Sequence, residues 1–181
     1  MTHRLFVAIR PPASVRALLL DEMHGVEHVR WQDDDQLHLT LRYAGEVDRH
    51  QAEDLAVALG SISFDSFEIA LRGTGTFESR GSVHTLWAGV ERNEPLTRLQ
   101  ARIERVCQSV GLPPETRKFT PHVTLARLNK ASGPVASFLA RTGDEQFGQW
   151  QVGSYRLCES HLRPEGSLYR EITRYPLVRT G

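Results

Sequence analysis

The sequence predicts a mixed helix-and-strand fold of two related lobes, and three observations support that expectation. Several short segments alternate apolar and polar residues, the period of a half-buried strand, while others repeat apolar residues at helical spacing. The order strand, helix, histidine-bearing strand occurs twice, from Leu5 to His38 and from Leu86 to His122, over 33 and 36 positions. No linker or low-complexity segment divides the 181 residues, so residues 1–181 read as a single two-lobed domain.

Taken in order, Leu5–Arg10 reads as a buried strand stopped by Pro11-Pro12. Ala13–Met23 reads as a short helix with Val15, Leu18 and Leu19 on one side. Gln36–Ala44 alternates and is expected to be a strand with one buried face. Asp48 followed by Gln51 resembles a capping box and starts a helix carrying Ala52, Leu55, Ala56, Leu59 and Ile62. Phe67–Arg72 and His84–Glu91 read as strands, joined by the Gly/Ser-rich stretch 73–82 as a loop. Pro95–Val110 carries an amphipathic stripe (Leu96, Leu99, Ile103, Val106, Val110) ended by Gly111, and its Arg98, Arg102 and Arg105 read as a solvated face. Pro121–Leu128 is a strand, Val135–Leu139 a short helix, and Gly153–His161 and Ser167–Tyr175 a pair of strands turned at Pro164-Glu165-Gly166.

Composition excludes several classes. Lys plus Arg and Asp plus Glu number 22 each, so the formal net charge is zero, unlike a protein that coats long nucleic acid. The chain is 40% apolar and 24% charged, which fits a globular protein rather than a disordered or fibrous one. The two cysteines, Cys107 and Cys158, have no C-x-x-C spacing and suit a reducing compartment. No segment has the length of a membrane span or of a signal-peptide core, so a cytoplasmic location and no membrane partner are expected. Zero net charge and the lack of a sticky helix make a monomer the simplest expectation.

Two segments carry the chemistry: "QLHLTLR" at Gln36–Arg42 and "PHVTLAR" at Pro121–Arg127. On a strand, Leu37, Leu39 and Leu41 share one face, and His38, Thr40 and Arg42 share the other. Likewise Val123 and Leu125 oppose His122 and Thr124. Paired imidazoles suit a reaction in which one proton is removed and another delivered near neutral pH. A threonine hydroxyl on the same face, with an arginine, can hold an anionic phosphate oxygen. No third Cys, His, Asp or Glu stands at a ligand spacing, so no metal and no cofactor is called for. Phe6, Tyr43 and Phe119 could stack on a base, but core packing is the simpler reading of each.

With the flanks "LHLTL…GEV", "FTPHVTLAR" and "ESHLRPEGSLYRE", the paired segments resemble the two-histidine phosphoesterases over nearly the whole chain. The nearest resemblance is to the bacterial RNA 2′,3′-cyclic phosphodiesterase branch, also called 2′-5′ RNA ligase. That implies an α+β bilobal fold, with two mainly antiparallel sheets lining a central cleft and helices packed outside. It also implies metal-independent hydrolysis of RNA 2′,3′-cyclic phosphate ends to 2′-phosphates, with weak reverse 2′-5′ joining in some members. Carried over, His38 is the proton donor to the departing 3′ oxygen and His122 the base that activates water. Thr40, Thr124 and Arg127 bind the phosphate. Arg42 has the right parity yet falls outside that set, whereas strict alternation points Arg127 away from the cleft unless a bulge intervenes. Two alternatives stay open: the same chemistry on a small cyclic nucleotide, and a non-catalytic module that binds nucleotides or RNA ends.

Overall fold

The continuous apolar run near the start becomes a strand buried on both faces. In the computed structural model, which describes residues 1–179, every residue from Leu5 to Ile9 of β1 (His3–Ile9) is buried. Leu5, Val7 and Ile9 join the main core, while Phe6 and Ala8 pack on the other face with Cys158 and Tyr169. After Pro11-Pro12 come α1 (Ala13–Asp21), a two-residue β2 (Arg30–Trp31) and a 3-10 turn at Asp34–Gln36. Next are β3 (Leu39–Val47), α2 (Arg49–Leu59), β4 (Phe67–Ser79), β5 (Ser82–Val90) and α3 (Glu94–Ser109). The chain ends with β6 (His122–Arg127), α4 (Ala136–Thr142), β7 (Gln146–Val152), β8 (Ser154–Arg163) and β9 (Gly166–Pro176).

The nine strands pair antiparallel throughout, in the order β7-β4-β5-β6-β3-β1-β8-β9, with β2 on the side of β6. The fold is therefore α+β, as expected. It consists of two four-stranded halves, β3-β1-β8-β9 and β7-β4-β5-β6, whose only shared register pair is Leu39 with Val123. The two sheets expected from the resemblance are thus one sheet pinched at its middle. Among the described residues, no helix is long and apolar enough to cross a membrane.

Where expectation and structure differ, local physics explains the difference. The stretch 73–82 is strand, not loop. Arg80 and Gly81 alone make the turn, both at positive φ (53° and 77°), the two-residue hairpin that right-twisted strands prefer. Gly75 belongs in β4 because the Trp87 ring lies where its Cβ would be, 2.4 Å from the nearest ring atom. β7 was missed because its glutamines alternate with few apolar residues, of which Phe147 and Val152 are buried. β3 begins at Leu39, so His38 stands just before the strand rather than within it. The capping box at α2 is half made: Asp48 accepts from the Gln51 backbone N–H at 2.8 Å, while the Gln51 side chain turns to the Val110 carbonyl.

Leu96, Leu99 and Ile103 of the expected stripe are buried in helix α3, joined by Cys107, while Val106 and Val110 are only partly buried. Its Glu104 binds Arg42, whose side chain is only 5% exposed and also donates to the carbonyls of Tyr43 and Pro113. Arg42 is therefore a buried strut between β3, α3 and the segment after α3. Replacing it with Met leaves Glu104 and two carbonyls without their cation. The expected cost is about 3–5 kcal/mol by denaturant unfolding, largely recovered when Glu104 is replaced by Gln in the same chain.

Candidate active site

The pinch between the two halves sets the site. In an antiparallel pair the residues flanking a matched pair face each other crosswise. With Leu39 opposite Val123, His38 falls opposite Thr124 and Thr40 opposite His122. Leu39 and Val123 are fully buried in the core, so the four polar residues share the opposite face. The two histidines then lie on a diagonal, for which sheet geometry gives about 7–8 Å between Cα atoms. One tetrahedral phosphate, hydrogen-bonded to both rings, can span such a gap.

Each strand also carries a bulge that resets its parity. Opposite β5, Leu86 meets Ala126 and Trp87 meets Thr124, so Leu125 is an extra residue in β6. Leu125 and Ala126 both turn into the core, and Arg127 returns to the cleft face. Opposite β1, Val7 meets Arg42 and Ala8 meets Thr40, so Leu41 is the extra residue in β3. Leu41 and Arg42 are buried, and Tyr43 emerges instead. Tyr43, three residues after Thr40, therefore occupies the position that Arg127 has after Thr124. The bulge that strict alternation required for Arg127 is present, and the one at Leu41, which alternation does not reveal, takes Arg42 off the parity expected for it.

Two chambers open on this face. One, of about 360 Å³, is lined by His122, Phe77, Phe119, Lys118, Thr40 and Tyr43 among others. The other, of about 350 Å³, is lined by Phe6, Tyr169, Arg127, Ser160, Thr40 and Tyr43 among others. Thr40 and Tyr43 are the wall common to both. Tyr43 is 51% exposed, which corrects its reading as a core residue, whereas Phe6 is buried as expected. Phe77 and Tyr169 carried no functional signal in the sequence. Each is set against a histidine by packing alone.

The histidines are held by their own backbones and by aromatic edges. His122 Nδ1 lies 2.7 Å from the Thr120 carbonyl, two residues earlier, so this nitrogen carries the proton and Nε2 is left for the cleft. The carbonyl of Gln36, also two residues before its histidine, approaches His38, yet Nδ1 of His38 is buried without a partner in hydrogen-bond geometry. Phe77 meets the His122 ring edge-on at 4.8 Å between centroids, and Tyr169 meets His38 in the same way at 5.6 Å. The turn that carries His38 is pinned from both sides. Arg10 donates to the carbonyls of Asp34 and Leu37 at 3.0 Å each, and Gln36 donates to the Ser167 carbonyl of β9 at 2.7 Å.

Burial governs the protonation of both rings. His38 is pushed down to about 4, first by loss of solvent and then by the positive charges of Arg10, Arg156 and Arg16. His122 is also lowered, again first by burial, with Arg127 adding to the effect and the Thr120 carbonyl opposing it. Both shifts favour the neutral ring. Arg127 donates to Thr85 Oγ1 at 3.2 Å, and no carboxylate pairs with it among the described residues. Among the described residues, no three His, Cys, Asp or Glu side chains gather as a metal cage. His122 lines the first chamber and Arg127 the second, Thr40 lies on the wall between them, and the Leu39–Val123 match sets His38 and Thr124 beside that wall.

Comparison with known proteins places this geometry in a family. The sequence profile of the 2′-5′ RNA ligase superfamily matches residues 11–162. A relative from Archaeoglobus fulgidus named RNA 2′,3′-cyclic phosphodiesterase is 31% identical, covering 93% of this chain and 97% of its own. One from Aeropyrum pernix, of the same name, is 35% identical over 82% of this chain and 86% of its own. A solved structure from Thermus thermophilus superposes with a TM-score of 0.80 at 30% identity, covering 96% of this chain and 97% of that one. Both histidine segments lie inside the matched region, and the chain belongs to the 2′-5′ RNA ligase superfamily.

Proposed function

We propose that the protein hydrolyses the 2′,3′-cyclic phosphate at RNA 3′ ends to a 2′-phosphomonoester, by histidine general acid–base catalysis without a metal ion. The observation that supports this reading is the Leu39–Val123 match, from which a crosswise pairing of the two His-x-Thr segments follows. The relatives' name supports the substrate class. In this reading His122 accepts a proton from water through Nε2, its Nδ1–H being tied to Thr120. The resulting hydroxide attacks phosphorus opposite the 3′ oxygen, and His38 delivers a proton to that oxygen as the P–O bond breaks. Thr40, Thr124 and Arg127 hold the non-bridging oxygens as their charge grows.

The depressed histidine pKa values fit a charged substrate. An anionic cyclic phosphate between the rings favours protonation of a histidine, so binding supplies the charge state that burial opposes. A ring held as low as His38 gives its proton up readily once it has one. By microscopic reversibility the same groups, with roles exchanged, can join a 5′-hydroxyl RNA to a cyclic end in a 2′-5′ linkage, as a weak reverse activity.

Three outcomes are expected. RNA ending in a 2′,3′-cyclic phosphate is converted to a 2′-phosphate in excess chelator; a 3′-phosphate product would overturn the choice of leaving oxygen, and arrest by chelator the absence of a metal. Replacing His38 or His122 with Ala lowers kcat by about 10²–10⁴-fold each while the unfolding midpoint stays within the range of an ordinary surface change. Near-full activity in either variant would sink the mechanism, and tight binding of cyclic ends with no turnover in the wild type would leave a binding module. The kcat/KM profile against pH reports the free protein, where both rings are lowered. Its bell is therefore expected on the acid side of the usual histidine range, with the kcat bell at higher pH because bound substrate raises both groups.

A further inference from the structure

A third cavity, of about 250 Å³, shares no lining residue with the two chambers. The end of β1, the start of α1 and the turn between β7 and β8 enclose it, and Arg10, Arg16 and Arg156 all line it. The three guanidiniums are largely buried, their side chains being 14%, 17% and 20% exposed. Lone buried cations are costly, so each should have its own counter-charge. They do not. Asp34 is shared by Arg10 (3.4 Å) and Arg16 (2.8 Å), with Asp35 at the 4.0 Å limit and almost fully in solvent. Glu171 is shared by Arg156 (3.2 Å) and Arg174 (2.9 Å).

A second observation concerns one of these three arginines. Arg156 Nε is buried and meets no hydrogen-bond partner, the Glu171 oxygen lying near it but outside hydrogen-bond geometry. Buried donors of this kind are rare in folded proteins and normally find an acceptor. The wall also offers Gln151 and Ser154, and Pro12, which caps α1, brings the positive end of that helix to the rim. A purely structural ion network accounts for Arg10 and Arg16, which grip backbone carbonyls of Asp34, Leu37 and Pro11. It does not account for the surplus charge or for the orphaned donor.

We propose that Arg10, Arg16 and Arg156 form an anion site, separate from the histidine cleft, that takes a phosphate group. Planar guanidiniums match the oxygens of phosphate in pairs, and a tetrahedral anion can serve three of them from one point. The ligand is either free phosphate or a phosphate in an RNA backbone, whose chemistry at the arginines is the same. The site does not depend on the reaction assigned to the cleft, and the test keeps the two apart.

The test follows the Arg156 Nε–H signal by NMR in the full chain while inorganic phosphate is added. A saturable shift is expected, and it should persist in the His122→Ala chain, in which the cleft is disabled. In Arg16→Gln the midpoint should rise about tenfold, the loss expected for one charge-assisted partner. A short RNA with a free 3′ hydroxyl forms the second arm. A shift at RNA concentrations where phosphate has none assigns the site to the strand, and the converse assigns it to the free anion. No shift with either ligand, a shift lost in His122→Ala, or an unchanged midpoint in Arg16→Gln would overturn the site.

Discussion

A single antiparallel match, Leu39 against Val123, joins the halves of the sheet and brings the polar residues of the cleft together. The two apolar side chains are fully buried, so each strand is held with one chosen face inward. A slip by one residue would carry both leucine-type faces into the cleft and both histidines into the core. The register is therefore protected by the hydrophobic effect, although the residues it positions are polar. The placing of His38, Thr40, His122 and Thr124 is a by-product of where the core demands its Leu and Val.

Around this pair, the fold spends burial on keeping imidazoles neutral. Aromatic edges from Phe77 and Tyr169 press on the rings, and the floor beneath His38 is the small apolar cluster of Phe6, Ala8 and Cys158. Low local dielectric strengthens every charge that a ligand brings in. The arginines around His38 deepen the effect on one side only, so the two halves are alike in backbone and unlike in electrostatics.

The backbone likeness extends to the bulges. Leu41 in β3 and Leu125 in β6 are both the surplus residue of a strand pair, each one place after its threonine. Each bulge restarts the alternation, so the third residue after the threonine faces the cleft again. In one half that residue is Arg127 and in the other Tyr43, a cation against an aromatic ring. A duplicated backbone device has been given different chemistry at equivalent points. Arg42, freed from the cleft by the same bulge, ties β3 to α3 through Glu104.

Reading the chain alone reached the two His-x-Thr faces and most of the helix stripes, because these depend on periods of 2 and 3.6 that local composition carries. Resemblance to a family, rather than periodicity, supplied the antiparallel α+β arrangement and the role of Arg127. What only tertiary structure decided were features with no local signature. The stretch 73–82 became strand because the Trp87 ring, a neighbour across the hairpin, covers Gly75. The parity of Arg42, Tyr43 and Arg127 was set by bulges, which exist only relative to a partner strand. Tyr169, Phe77 and the shared carboxylates of the three arginines lie far along the chain from the groups they act on. Sequence determined which faces had to be buried; packing determined what each buried face confronts, since contact between distant residues is a property of the folded chain and of no segment within it.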